Sequence, residues 1–137
     1  MMLRHKSLAV VVVLMLLMIS AAARIQKMQH ISTGVWGGEH ISMKVGAKSA
    51  TIEYDCANGV IEGPLVLDAD GHFNLHGTHH MERGGPVRED ASSKGQPATY
   101  TGSIEGDTMT LSLKVGDGEA ETFTLEKGKE GKLVKCK

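Results

Sequence analysis

Four of the seven histidines, His72, His76, His79 and His80, fall inside one short segment. If that segment is extended, His72, Asn74, His76, Thr78, His80 and Glu82 share one face, and His79 stands on the other beside Met81. Imidazole is a good ligand for zinc, copper and nickel, so the first chemistry the residue types suggest is transition-metal binding. Spacing restricts it. Side chains two residues apart on a strand lie about 6.5–7 Å apart and those four apart about 13 Å, too far for one ion to span. A metal site would therefore take His76 or His80 and complete its shell from elsewhere, with His40, Glu39, Asp55 and Glu62 available. The alternative is a solvated polar face with no ion.

His40 follows Gly37-Gly38 and, with Asp55, could form an orienting hydrogen-bonded pair or a general base. No serine or cysteine stands in a nucleophile context and no phosphate-binding loop is present, so the chain reads as non-catalytic rather than as an enzyme. The polar segment 82–96 is the longest connection, with Gly84-Gly85-Pro86, Ser92-Ser93 and Gly95. Connections beyond about 12 residues are often binding loops or disordered segments. As a docking or inhibitory loop it would present Arg83, Arg88 and Glu89 to a partner; otherwise it is a tolerated insertion.

The elements that must carry these residues begin after an export signal. Arg4, His5 and Lys6 precede an apolar run over 8–19, and Ser20 leads to Ala21-Ala22-Ala23, a site of the kind signal peptidase cuts. The run is short of the roughly 20 residues a membrane span needs. The reading is a removable signal peptide over 1–23, the alternative an uncleaved anchor. No cysteine near the cleavage region supports a lipoprotein anchor, and no Arg-Arg pair supports the twin-arginine route. Localisation is expected to be secreted or periplasmic, with no membrane association after cleavage.

Without Arg4 and Lys6, the 15 basic residues become 13 against 16 acidic ones, a net of −3. That balance offers no concentrated basic face for nucleic acid. About 114 residues remain, enough for one domain. In an oxidising compartment the only two cysteines, Cys56 and Cys136, read as one disulfide.

Residues 24–33 show no period and are expected to form a disordered lead. From Gly34 onward, short runs rich in β-branched and aliphatic residues alternate with Gly, Asn and Asp, the pattern of successive antiparallel strands. Eight are expected, over 35–45, 51–57, 60–67, 72–81, 98–105, 108–115, 120–126 and 132–136. Asn58-Gly59 suits a type I′ turn. Met109, Leu111, Leu113 and Val115 oppose Thr108, Thr110, Ser112 and Lys114, so one face is buried and one is wet. Ile41, Met43 and Val45 have the opposite parity to Trp36, a conflict that a β-bulge at Gly37-Gly38 would resolve. The fold class is all-β, a small antiparallel up-and-down barrel of about eight strands with one disulfide, or alternatively a β-sandwich. Trp36, Ile41, Met43, Ile52, Tyr54, Leu65, Leu67, Phe73, Leu75, Tyr100, Ile104, Met109, Leu111, Leu113, Phe123 and Leu125 are expected to face inward.

Gly34-Val35-Trp36 resembles the Gly-x-Trp element of lipocalins and related calycin barrels, in which the tryptophan closes one end of an eight-stranded barrel. Tyr54-Asp55-Cys56 with Cys136 resembles a second group, the small periplasmic inhibitors of c-type lysozyme. These too are eight-stranded barrels, with a Tyr-x-Cys on an early strand bonded to a cysteine near the C-terminus. The first resemblance implies a secreted binding module taking a small apolar molecule at one barrel mouth, where Trp36, His40, Tyr54 and Tyr100 are the candidate ligand-binding residues. The second implies an inhibitor or protein-interaction module acting on an extracytoplasmic protein through 82–96. The third expectation is a metal-binding protein using His76, His80 and His40; beyond that possible transition metal, no cofactor is expected.

Overall fold

Alternating apolar and polar side chains along eight runs of five to ten residues leave each run with one face to bury, and closing the sheet on itself buries all of them together. The structure, a computed structural model, describes residues 3–19, 28–82 and 95–136. In chain order it contains α1 (Leu3–Ile19), β1 (Gln29–His30), β2 (Gly34–Gly38), β3 (Ile41–Val45), β4 (Ser49–Tyr54), β5 (Ala57–Glu62), β6 (Val66–Leu67), β7 (His72–Met81), β8 (Gln96–Glu105), β9 (Thr108–Val115) and β10 (Glu121–Lys127). Eight strands close into an antiparallel barrel in the order β10-β2-β3-β4-β5-β7-β8-β9, and β1 and β6 form a separate two-stranded sheet. The barrel and its disulfide are as the sequence predicts; the sandwich alternative is excluded.

The interior is filled by side chains. Trp36, Tyr100, Ile41, Met43, Ile52, Ile61, Met109, Leu111 and Leu125 are fully buried, and Leu75, Ile104, Val115 and Phe123 pack against them. The outward positions of β8, β9 and β10 are mostly hydroxyls, in register across strands. Thr101 pairs with Ser112 and Ser112 with Thr122; Ser103 pairs with Thr110 and Thr110 with Thr124.

The eight strands are not the eight expected. The first is two: β2 and β3 form a hairpin in which Gly38 pairs with Ile41 and only Glu39 and His40 turn the chain. His40 has φ +64°, the left-handed region that such a tight turn demands of one central residue. The parity conflict at Trp36 is thus resolved by chain reversal, which pairs Trp36 with Met43, and not by a bulge at Gly37-Gly38. Asn58-Gly59 is likewise no turn. Both lie inside β5, opposite Glu53 and Ile52, and the reversal is made by Asp55-Cys56. Gly59 is required there for space, because a Cβ would overlap the Tyr100 hydroxyl. The expected strand over 60–67 ends at Glu62, and Val66–Leu67 leaves the barrel to pair with Gln29–His30.

The predicted last strand, 132–136, is a strap. After Gly128 the chain runs over the outside of the β2–β3 hairpin, with Lys132 N donating to Gly38 O and His40 N donating to Lys132 O. Apart from one bridge between Glu39 and Lys132 it has no strand pairing. Gly37 and Gly131 permit the crossing, since a Cβ at either would overlap the opposing backbone. Cys136 then bonds to Cys56 in the β4–β5 turn, with 5.3 Å between their Cα atoms.

The expected disordered lead is ordered at its end: Ile31 is buried and its N–H donates to Leu65 O at 2.9 Å. Apolar side chains of α1 from Leu8 to Met15 are exposed, and no helix among the described residues is long and apolar enough to cross a membrane. The expected cleavage site at Ala21-Ala22-Ala23 and most of the 82–96 connection, including Arg83, Arg88 and Glu89, lie outside the described residues.

Candidate functional site

Antiparallel order brings four reversals to one end of the barrel: Glu39-His40 between β2 and β3, Asp55-Cys56 between β4 and β5, the end of β7 with the start of β8, and the start of β10 after β9. An open cleft of about 600 Å³ lies there, lined by Glu39, His40, Asp55, Glu121, Thr122, Phe123 and Thr124.

On the outer rim, the His40 imidazole Nδ1 lies 2.6 Å from Asp55 Oδ2, and the Val134 N–H donates to Asp55 Oδ1 at 2.8 Å. The Val134 N–H does most to hold the Asp55 carboxyl below the usual carboxylate range, with the His40 bond and the Lys135 charge adding to it. Of the two readings the sequence offers, an orienting hydrogen-bonded pair or a general base, the pair is formed, and it fastens two turns and the strap together. Both oxygens of Asp55 are engaged. Lys132 Nζ bonds Glu39 at 2.9 Å, completing the fastening on an exposed surface.

The inner side is different. Tyr54, at the end of β4, is 6% exposed, and its ring packs 5.3 Å from Phe123 and 5.4 Å from His79, centroid to centroid. Two buried polar atoms in this cluster make no well-formed hydrogen bond: His79 Nδ1, and the Tyr54 hydroxyl, which is turned toward that of Tyr100. Most buried polar groups are satisfied, and one that is not costs about 1–3 kcal/mol. Burial lifts the Tyr54 phenol far above its ordinary value, with Tyr100 and Glu121 adding to it. Burial likewise pushes His79 below its ordinary 6.5, aided by His80 and opposed by Glu121. His79 is therefore neutral at pH 7. The charge of Glu121, at the start of β10, acts on both groups.

A depressed histidine has a definite sign in stability. Its contribution is present in full above the unfolded value near 6.5 and is lost as pH falls through the lower folded value. The urea midpoint of the protein is expected to fall between pH 7.5 and 5.5, and His79→Gln to flatten that slope. An equal slope in the variant would show that the other histidines carry it.

Of the four candidate ligand-binding residues, His40 lines this cleft, whereas Trp36, Tyr54 and Tyr100 belong to the buried core. Trp36 is 1% exposed and its Nε1 donates to Ser32 O at 3.1 Å. Tyr100 is fully buried and its hydroxyl donates to Thr78 O at 2.8 Å, with burial raising its phenol to about 12. His79, Phe123 and Glu121 are the members that sequence reasoning passes over. His79 was legible as the one histidine of β7 on the inner face; Phe123 was legible as inward-facing; nothing in the sequence marks Glu121.

The metal expectation is not assembled. His76 faces outward opposite Thr99, His80 opposite Asn58, and His40 is committed to Asp55. Among the described residues, the group of three potential ligands within 4.8 Å of one another is Asp68, Asp70 and His72, all exposed. There Asp68 Oδ1 accepts the backbone N–H groups of Asp70 and His72, each at 2.9 Å, which is how a tight turn organises itself. A second open cleft of about 450 Å³ borders that turn, lined by Met28, Val66, Leu67, Ala69 and Phe73 among others.

Comparison of the chain with family models, with curated proteins and with solved structures finds no match in any of the three.

Proposed function

We propose that this protein is an exported, non-catalytic binding module that takes a small molecule at the barrel end where Phe123, packed on Tyr54, lines the open cleft. One observation supports the reading: in the aromatic contact behind Phe123, which lines that cleft, two buried polar atoms, the Tyr54 hydroxyl and His79 Nδ1, make no well-formed hydrogen bond. Their cost is offset when a ligand supplies the missing bonds, the usual arrangement in binding sites, where a few polar groups sit in an otherwise apolar wall. The ligand has a polar end, which modifies the purely apolar molecule that the lipocalin resemblance implies. The signal-like segment 1–23 and the disulfide support export. The described outward faces carry hydroxyls, histidines and charges, whereas a membrane-spanning barrel needs an apolar outer band.

Removing the Tyr54 hydroxyl separates binding from folding. In ligand-free protein, Tyr54→Phe is expected to gain about 1 kcal/mol in urea unfolding, because it deletes a buried hydroxyl that makes no well-formed hydrogen bond. The same variant is expected to lose whatever small molecule native mass spectrometry finds on protein purified without a tag. A variant that loses stability and keeps its ligand would assign the hydroxyl to the fold and end the proposal.

A further inference from the structure

Beyond the small-molecule reading, and independently of it, we infer that an extended peptide docks in this cleft by adding as a short strand to an open stretch of β10, with a basic side chain set against Glu121. The barrel closes unevenly. β10 pairs with β9 from Glu121 to Glu126, but with β2 at only two positions, Glu126 with Gly37 and Lys127 with Trp36. β2 ends at Gly38, and the chain turns back through Glu39 and His40 into β3. Glu121, Thr122, Phe123 and Thr124 therefore run past the end of β2 with their second edge open, and these four residues are the β10 lining of the cleft.

Main-chain direction decides what that edge offers. The Lys127 N–H donates to Asp107 O on the β9 side, and the Gly128 N–H donates to Val35 O on the β2 side. Alternation along the strand then turns the N–H and C=O of Thr122 and Thr124 toward the β2 side. Thr124 O lies against Gly38, where a Cβ would overlap it. Thr122 is beyond the end of β2, and among the described residues its N–H and C=O have no backbone partner. A donor and an acceptor on one extended residue are matched by the backbone of another extended segment, the basis of recognition by strand addition.

A peptide residue opposite Thr122 fills both groups, and its two neighbours then oppose Glu121 and Phe123, which share a face of β10. In the antiparallel direction that β2 already takes, the segment reads apolar-x-basic, with the apolar side chain on Phe123 and the basic one at Glu121. Charge agrees with that order. Of the three carboxylates lining the cleft, Asp55 is held by His40 and the Val134 N–H, and Glu39 by Lys132. Glu121 has no ion pair among the described residues. A second copy pairing edge to edge would instead bring its own Glu121 into the same cleft.

The probe is acetyl-Thr-Leu-Thr-Lys-Thr-amide, titrated into the labelled protein while the Thr122 and Thr124 amide resonances are followed by NMR. Both are expected to move to saturation. A peptide N-methylated at its central threonine is expected to bind about fivefold more weakly, the loss of one main-chain hydrogen bond. Thr122→Pro removes the outward N–H and leaves the β9 ladder intact, as edge strands tolerate; it is expected to cost the same fivefold, and Thr122→Ala nothing. Glutamate in place of the peptide's lysine is expected to weaken binding, and Glu121→Gln to shrink that preference about threefold. If the N-methylated peptide binds as tightly as its parent, strand addition is overturned, whether or not Thr122→Pro folds. If the lysine and glutamate peptides bind alike, the basic side chain is overturned. If concentrating the peptide-free protein moves the two resonances, a second copy holds the edge and the peptide is overturned. If no peptide moves them, the inference falls, and the small-molecule reading is still decided by Tyr54→Phe.

Discussion

Replacing both Cys56 and Cys136 with serine is expected to cost about 4.5 kcal/mol, the loop-closure value for a link of this span. The two residues are 80 positions apart, so the bond restrains most of the unfolded chain. Small domains have a net stability of about 5–15 kcal/mol, so the reduced protein is expected to sit close to its unfolding midpoint. The folded state adds its own reason for a large effect. The strap buries little: Val134 is exposed, and its ion pairs from Lys132 to Glu39 and from Lys135 to Glu53 and Glu82 are on the surface. Exposed pairs of this kind contribute about 0–1 kcal/mol each. Without the bond, residues 132–136 are expected to exchange their amide hydrogens at nearly unprotected rates, and the β2–β3 hairpin beneath them to exchange faster. Urea titration of the oxidised protein and the double serine variant measures the difference. A loss below about 1 kcal/mol would mean that the strap holds by its backbone bonds alone.

The second large effect is at Trp36. Trp36→Ala is expected to cost about 3–5 kcal/mol, the range for deleting a large aromatic from a filled core. The ring lies among fully buried neighbours, pairs across the hairpin with Met43, and its Nε1 bond ties β2 to the chain leading into it. Because this is the single tryptophan, its fluorescence reports the intact site directly in the wild type. Far-UV dichroism has to follow the variant. A cost under about 1 kcal/mol would contradict the packing described for the barrel interior.

These residues also mark how far the sequence could be read. Alternation in 108–115 and in 51–54, the part of 51–57 that precedes the turn, identified strands and their inner faces because period two has few competing explanations. Turn chemistry misled where packing overrode it. Asn58-Gly59 has the composition of a hairpin turn, but its glycine is there to clear the Tyr100 hydroxyl, and the turn fell to Asp55-Cys56. His40 occupies a left-handed position more often given to glycine or asparagine, so the β2–β3 reversal carried no signal and a parity break was read as a bulge. Leu133 and Val134 look like strand residues, yet no neighbouring strand edge was left for them once the barrel closed.

The candidate site divides the same way. Tyr54 and His40 could be named because each sits beside a feature visible locally, the cysteine and the glycine pair. Phe123 and His79 join Tyr54 only through closure of the barrel, which sets side chains distant in sequence ring against ring. No local pattern encodes that meeting.

One feature of the covalent link bears on how the molecule is made. β5, β7, β8, β9 and β10 all lie between the two sulfurs along the chain, and the partner of Cys56 is synthesised only after every one of them. The Cys56 thiol must therefore wait through most of synthesis, exposed to pairing with other chains. Oxidation in the right place records that the last strand has docked. Intermolecular dimers linked through Cys56 are then the characteristic product of an interrupted or hurried assembly.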